Sequence, residues 1–309
     1  MSIKIVGIGA YVPEKILTNK DIEKMVDTDD QWIQNNLGIR ERRISDDGQL
    51  SSDLAVKSSI MAINDAELTV NDVDFIIMVT SSPDRISPST ACLLQEKIGA
   101  YNAACVDVNA VCAGFLYGLQ MAKGLLSIGQ YKNILLVASE TYSKLTDWSK
   151  RDCVFFGDGS GAVILQRDET NYCEIDLYAD GNGKESFTVH HNDFFFMNGK
   201  EIYENGITKL PISVQSLFER TGIDKKDVTY VVPHQPSINI LKKTAEILDI
   251  DFTKFGTSMG EYANTAGASI PITLNKLYEE NKLNKNDLLL LTTIGSGWVW
   301  GSGLIKWTK

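Results

Sequence analysis

The chain has 309 residues, 43% of them hydrophobic, and 30 Lys and Arg against 40 Asp and Glu leave a net charge of −10. That length and apolar content suffice for a large core in two fused halves, and the acidic balance argues against nucleic acid as a partner. Five cysteines without framework spacing, no recognisable leader and no apolar run of membrane length read as a cytoplasmic chain with reduced thiols and no membrane contact.

In chain order, Asp72-Val73-Asp74-Phe75-Ile76-Ile77 reads as a buried strand after a helical segment. Cys105-Val106-Asp107-Val108 is a second strand-like run, and it turns through Asn109-Ala110-Val111-Cys112-Ala113-Gly114 into helix formers from Leu116 to Leu126. Ile134-Leu135-Leu136-Val137 is a third. Gly157-Asp158-Gly159-Ser160-Gly161 lacks the lysine and spacing of a phosphate loop and reads as tight turns. His190-His191-x-Asp193 lies in a polar loop without a further ligand nearby, so no metal site is expected; Phe194-Phe195-Phe196-Met197 reads as core or dimer contact. Val231-Val232 is a strand ending at His234, Asn264 precedes a helix in Ala263-Asn264-Thr265-Ala266-Gly267-Ala268-Ser269, and Leu289-Leu290-Leu291-Thr292 is the last of the buried strands in this series.

These segments repeat. Val73 and Val228, Asn109 and Asn264, and Leu136 and Leu291 are each 155 residues apart, with no net gap between the pairs. Two copies of one strand–helix unit follow, with short strands alternating with amphipathic helices in a mixed α/β fold of largely parallel sheets. On the same offset Gly267 stands where Cys112 does and His234 where Val79 does, so the halves have diverged: one supplies sulfur, the other imidazole and carboxamide. Ligands bind at the carboxyl ends of strands in such sheets, and a pseudo-twofold would bring both sets of ends to one cleft. A cysteine at a strand-to-helix junction also meets the positive end of the helix, which favours its thiolate. With His234 and Asn264 it forms the pattern of an activated nucleophile.

The chain resembles β-ketoacyl-acyl carrier protein synthase III, of the thiolase-like superfamily, nearly end to end. Gly7-Ile8-Gly9-Ala10-Tyr11-Val12-Pro13-Glu14, the run from Met25 to Trp32, Gly38-Ile39-Arg40-Glu41-Arg42-Arg43, Phe156 to Ala162 and Trp300-Gly301-Ser302-Gly303 carry the resemblance. It implies two duplicated halves, residues 1–168 with the nucleophile and 169–309 with His and Asn. Each half would hold a mixed five-stranded sheet, in an α-β-α-β-α layering. It also implies a Cys112, His234, Asn264 triad, Trp32 and Arg151 flanking the adenine of CoA, and a homodimer. The activity implied is an acyl transfer onto Cys112 from acyl-CoA, then a decarboxylating condensation with a malonyl thioester, with CoA as substrate and no cofactor. An acyl carrier protein is a further implied partner. Asparagine suits the third position because it donates a hydrogen bond to an enolate without acting as a base. The oxyanion would rest on the backbone N–H of Cys112 and one from Gly295-Ser296-Gly297.

Five positions depart from the family pattern, two of them, Pro236 and Ser296, replacing small residues near the site. Asn36 and Asn239 replace arginines associated with CoA or carrier-protein binding, although Lys242 and Lys243 offer basic charge nearby. Ser87 replaces a bulky aromatic contributed across the dimer to close the acyl pocket, so primers longer than acetyl are expected. The alternative reading keeps acylation of Cys112 but passes the acyl group to an amine, alcohol or other nucleophile in a specialised pathway. A non-catalytic interaction subunit is disfavoured by the intact triad.

Overall fold

The computed structural model describes residues 2–191 and 193–309. The first sheet is built from β1 (Ser2–Tyr11), β2 (Phe75–Val79), β3 (Ala104–Val108), β4 (Ile134–Glu140) and β5 (Gly159–Asp168), in the order β1-β5-β4-β2-β3. The second holds β6 (Cys173–Ala179), β7 (Tyr230–Pro233), β8 (Leu288–Gly295) and β9 (Val299–Lys306), in the order β7-β8-β9-β6. In each sheet a single strand, β5 or β9, runs against the others. The central strands β4 and β8 are buried along their whole length, which is why they read as continuous apolar runs rather than alternating ones.

The repeat is visible in the strand register. Ile76 faces Leu135 in the first sheet and Val231 faces Leu290 in the second, each pair displaced by the same 155 residues. The second sheet departs from expectation in having four strands rather than five. Where a counterpart of β3 would lie, Phe255 makes a single parallel bridge to Val231. The chain then leaves the sheet because the backbone N–H groups of Ser258 and Met259 donate to the Gln235 side chain at 2.9 and 3.2 Å. A ladder needs those donors, so it stops.

Seven longer helices complete the layers: α1 (Asp30–Leu37), α2 (Ser51–Asp65), α3 (Thr90–Ile98), α4 (Gly114–Ser127), α5 (Gly199–Thr221), α6 (Ile238–Leu248) and α7 (Ser269–Glu279). Helices α2 and α3 cover the outer face of the first sheet, α4 and α7 lie between the sheets, and α5 packs on the outer face of the second with α6 beside it. This is the α-β-α-β-α arrangement. Gly114 and Gly118 let α4 approach the sheet; a Cβ at either would collide with Val79 or Leu136. The central core runs through both sheets, joining Leu119, Leu136 and Val163 to Ile272, Leu291 and Ile305. Trimming Leu136 or Leu291 to alanine there would cost about 2–5 kcal/mol.

The strands of the two sheets come from residues 2–168 and 173–306, but packing crosses that line. Ile22, Ile33, Leu37 and Ile39 are buried with Val214, Leu217 and Leu241 of the second half. Helix α1 therefore sits against α6, held by Asp29, whose carboxylate caps the Trp32 N–H at 2.7 Å, and ended by Gly38 at φ 78°.

Candidate active site

Strand β3 leads into a short 3-10 turn, Val111–Ala113, that opens α4 and carries Cys112. Val111 has φ 46°, a left-handed conformation that a β-branched residue adopts only when its surroundings impose it. The second copy builds the same turn: Ala266–Ala268 is again 3-10, Ala266 has φ 45°, and α7 follows. There Gly267 occupies the position of Cys112, and a Cβ on it would press on the Val111 carbonyl and the Glu140 carboxylate. The two turns are thus packed together, and only one has room for a side chain.

His234 follows β7, its backbone N–H donating to the Thr292 carbonyl at 2.9 Å. Asn264 is tied by two backbone bonds: its N–H donates to the Phe155 carbonyl and its carbonyl accepts from the Gly157 N–H, both at 3.1 Å. Cys112, His234 and Asn264 line one pocket, together with Val111, Phe155, Phe156, Phe187, Met197 and Trp298. The Asn264 Oδ1 accepts from the Ala266 N–H at 2.8 Å, which leaves the amide N–H groups as its donors. The His234 Nδ1 lies 3.2 Å from the Ser269 hydroxyl. Burial lowers the His234 imidazole to about 3, so the ring is neutral at physiological pH and donates from one nitrogen only. The Ser269 hydroxyl also donates to the Ala266 carbonyl at 2.8 Å, tying the ring to the turn before α7.

The electrostatics of Cys112 differ from the sequence expectation. Its position before α4 favours a thiolate, but burial, with the Glu140 carboxylate behind it, pushes the thiol above its usual range. Cys112 is therefore held as a thiol at neutral pH. The Gly295 backbone presses on the same turn: a Cβ there would stand 2.9 Å from the Cys112 nitrogen, and the Thr293 hydroxyl donates to the Cys112 carbonyl at 2.8 Å.

Trp32 and Arg151 stand outside the pocket lining but meet each other, the guanidinium lying 4.1 Å from the centre of the indole. Arg151 opens a 3-10 turn, Arg151–Val154, that runs into Phe155 and Phe156 of the pocket wall. Ser87 is exposed and does not line the pocket of its own chain. Its inner wall is aromatic instead, Phe156 packing on Tyr142, Phe187 and Phe195. His190 and His191 line a separate open hollow with Ser81 and Arg85; Asn192 between them and Asp193 lies outside the described residues.

Two residues escaped the sequence reading. Ser269 was visible only as a small residue before a helix. Glu140 had a signal, a lone acid ending a buried strand that is apolar from Ile134 to Ala138. It is fully buried and accepts hydrogen bonds from the backbone N–H groups and hydroxyls of Ser81 and Ser82, without a cation beside it. Burial raises its carboxyl to about 7.

Two copies of one α/β unit, layered around paired helices with a cysteine turn at their junction, define a condensing enzyme of the thiolase-like fold. Residues 106–181 match the 3-oxoacyl-(acyl carrier protein) synthase III family and residues 218–307 its C-terminal part. The chain is 40% identical to β-ketoacyl-(acyl carrier protein) synthase III of Oceanobacillus iheyensis over the full length of both, and 41% identical to that of Rickettsia felis over 99% of this chain and all of the relative. The crystal structure of 3-oxoacyl-(acyl carrier protein) synthase III from Aquifex aeolicus superposes with a TM-score of 0.96 at 35% identity, covering 99% of this chain and 100% of that one. The chain belongs to the β-ketoacyl-(acyl carrier protein) synthase III family. It is an acyltransferase of the condensing type, serving fatty acid biosynthesis without a resident cofactor. None of its described helices is long and apolar enough to cross a membrane.

Proposed function

We propose that Cys112 is the nucleophile, and that His234 and Asn264 carry the decarboxylating half of the reaction. The first step joins the Cys112 sulfur to the acyl carbon of an acyl-CoA; the carbon–sulfur bond to CoA breaks, and the thiol proton leaves with CoA as its free thiol. The second brings a malonyl thioester to the acylated site. Loss of CO₂ leaves an enolate whose oxygen accepts from His234 and the Asn264 amide. Its carbon then attacks the acyl-Cys112 carbonyl, expels the sulfur and gives a β-ketoacyl thioester; the sulfur takes up a proton and Cys112 is restored. The observation that carries this reading is the Asn264 amide, whose oxygen is occupied by the Ala266 N–H while its donors remain, in the pocket that also holds Cys112 and His234.

Relatives named for the acyl carrier protein support such a protein as the malonyl carrier, and the stacked Trp32 and Arg151 support an adenine site for CoA. An acidic carrier must find local basic charge on a chain of net charge −10, and Lys242 on α6 is exposed for that purpose. A homodimer is supported by strand β3, which ends its sheet with one edge unpaired among the described residues. The aromatic wall formed by Phe156 and Phe187 limits the room within one chain, so the primer length rests on what the partner's loop around Ser87 adds.

The test is intact-mass measurement after incubation with a panel of acyl-CoAs, followed by malonyl-CoA or a malonyl carrier protein. An acyl adduct on Cys112 that either malonyl thioester discharges with CO₂ release supports the assignment. An adduct resistant to every malonyl donor overturns the second half, and absence of any adduct overturns the first.

A further inference from the structure

Five cysteines are free in this chain, and the condensing chemistry uses one. Two others face each other. The sulfurs of Cys92 and Cys105 are 3.5 Å apart, and among the described residues no other two cysteine sulfurs lie within hydrogen-bonding reach. Both are half-buried in the single chain, Cys105 on the strand whose free edge supports the proposed homodimer.

The pairing follows from local structure. Cys92 lies in the first turn of α3, which Ser89 caps. Cys105 lies on β3, and Asp107, two residues on and hence on the same face of the strand, accepts from the Thr90 and Ala91 N–H groups at 2.7 Å each. Asp107 therefore ties this face of β3 to the start of α3, and the two thiols sit on the same junction, one on each element. Closing the sulfur separation to a bond of ~2.05 Å needs a shift of about 1.5 Å, within reach of side-chain rotation on two short side chains.

We propose that Cys92 and Cys105 form a reversible intrachain disulfide when the protein meets a hydroperoxide, making this junction an oxidant-responsive clip. The hydroperoxide oxidises one thiol to a sulfenic acid and is itself reduced, hydrogen peroxide giving water. The second thiol then attacks that sulfur, the S–O bond breaks, and a further water leaves with the disulfide formed. A dithiol reverses it by two exchange steps and ends as its own disulfide. Burial and the neighbouring Cys92 raise the Cys105 thiol to about 11, so Cys92 is the sulfur that the peroxide oxidises first and Cys105 the one that resolves it. Strand β3 runs straight into Asn109 and the Val111–Ala113 turn, so the clip braces the segment that delivers Cys112. The proposal does not depend on the role given to Cys112.

The test treats the purified full-length protein with graded hydrogen peroxide, blocks remaining thiols with iodoacetamide and digests it unreduced with trypsin and an Asp-directed protease. Cleavage before Asp107 separates Cys105 from Cys112, so the diagnostic product joins residues 86–97 to residues 98–106. That product is expected within single chains, reversed by dithiothreitol and absent from Cys92→Ser and Cys105→Ser. A higher unfolding temperature in the oxidised parent, not in peroxide-treated Cys92→Ser, is expected to accompany it. Recovery of both cysteines alkylated at peroxide levels that oxidise Cys112 would overturn the proposal. So would a disulfide running between two chains, or stepwise oxidation of either sulfur to the sulfinic acid without a crosslink.

Discussion

The guanidinium carbon of Arg151 lies over the Trp32 indole, 4.1 Å from the ring centre, although the two residues come from separate elements, a 3-10 turn and helix α1. A planar cation over an aromatic face is worth about 0.5–1 kcal/mol when exposed. At the proposed CoA site an adenine would insert between the two or displace Arg151, regaining stacking in doing so. Arg151→Ala and Trp32→Ala are expected to raise KM for acyl-CoA by about three- to tenfold with kcat little changed, because the contact is the same in ground and transition states. Arg151→Lys should behave like the alanine variant, since an ammonium has no flat face. Steady-state kinetics with CoA and with a truncated pantetheine thioester would check this: the truncated substrate should not distinguish the variants.

Gly295 is the tightest test of the oxyanion site. A methyl there would stand 2.9 Å from the Cys112 nitrogen, whose N–H is one donor of the proposed oxyanion site. Gly295→Ala should lower the rate of Cys112 acylation by about 10²–10³. Time-resolved intact mass gives the rate, and an unchanged unfolding temperature would separate this effect from a loss of fold.

In the proposed reaction Ser269 acts through the ring of His234. Its hydroxyl, 3.2 Å from Nδ1 and donating to the Ala266 carbonyl at 2.8 Å, anchors the ring to the turn before α7. Ser269→Ala is expected to slow malonyl decarboxylation by about tenfold, roughly 1.4 kcal/mol, while Cys112 still accepts its acyl group. Because the ring titrates at about 3, decarboxylation should show no loss attributable to His234 down to about pH 5. Ser269→Thr, which keeps the hydroxyl, should restore much of the rate; a Thr variant as slow as the alanine one would point to packing instead.

Glu140 carries a pH signature. Its carboxyl titrates near 4.5 when free and at about 7 in the folded protein, so between those values the folded state holds the extra proton. The stability associated with its neutral form is complete below about pH 4.5 and is lost as pH rises through about 7. Glu140→Gln cannot ionise. Relative to the parent, it should gain up to about 3 kcal/mol between pH 4.5 and pH 8. Urea unfolding of both proteins at the two pH values measures the change; an equal difference at both would remove Glu140 as the titrating group.

How much of this was legible without coordinates depends on whether a property is local or made by contact. The repeat was legible, because a buried strand must be apolar on both faces and the spacing of such runs survives as a count; the registers of Ile76 with Leu135 and of Val231 with Leu290 repeat it residue for residue. The positions of Cys112, His234 and Asn264 were legible for the same reason, each standing where a strand ends or a helix begins. The four-stranded second sheet was not, since it turns on the Gln235 side chain taking two N–H groups from residues more than twenty positions away. Nor were the ionisation states. The sequence placed Cys112 at a helix start, which argues for a thiolate, but the low dielectric around it and the Glu140 carboxylate oppose that, and both are set by folding. Local pattern determined which groups the chain offers; desolvation and long-range contact, which no short segment contains, decided their charge, their partners and the space left beside them.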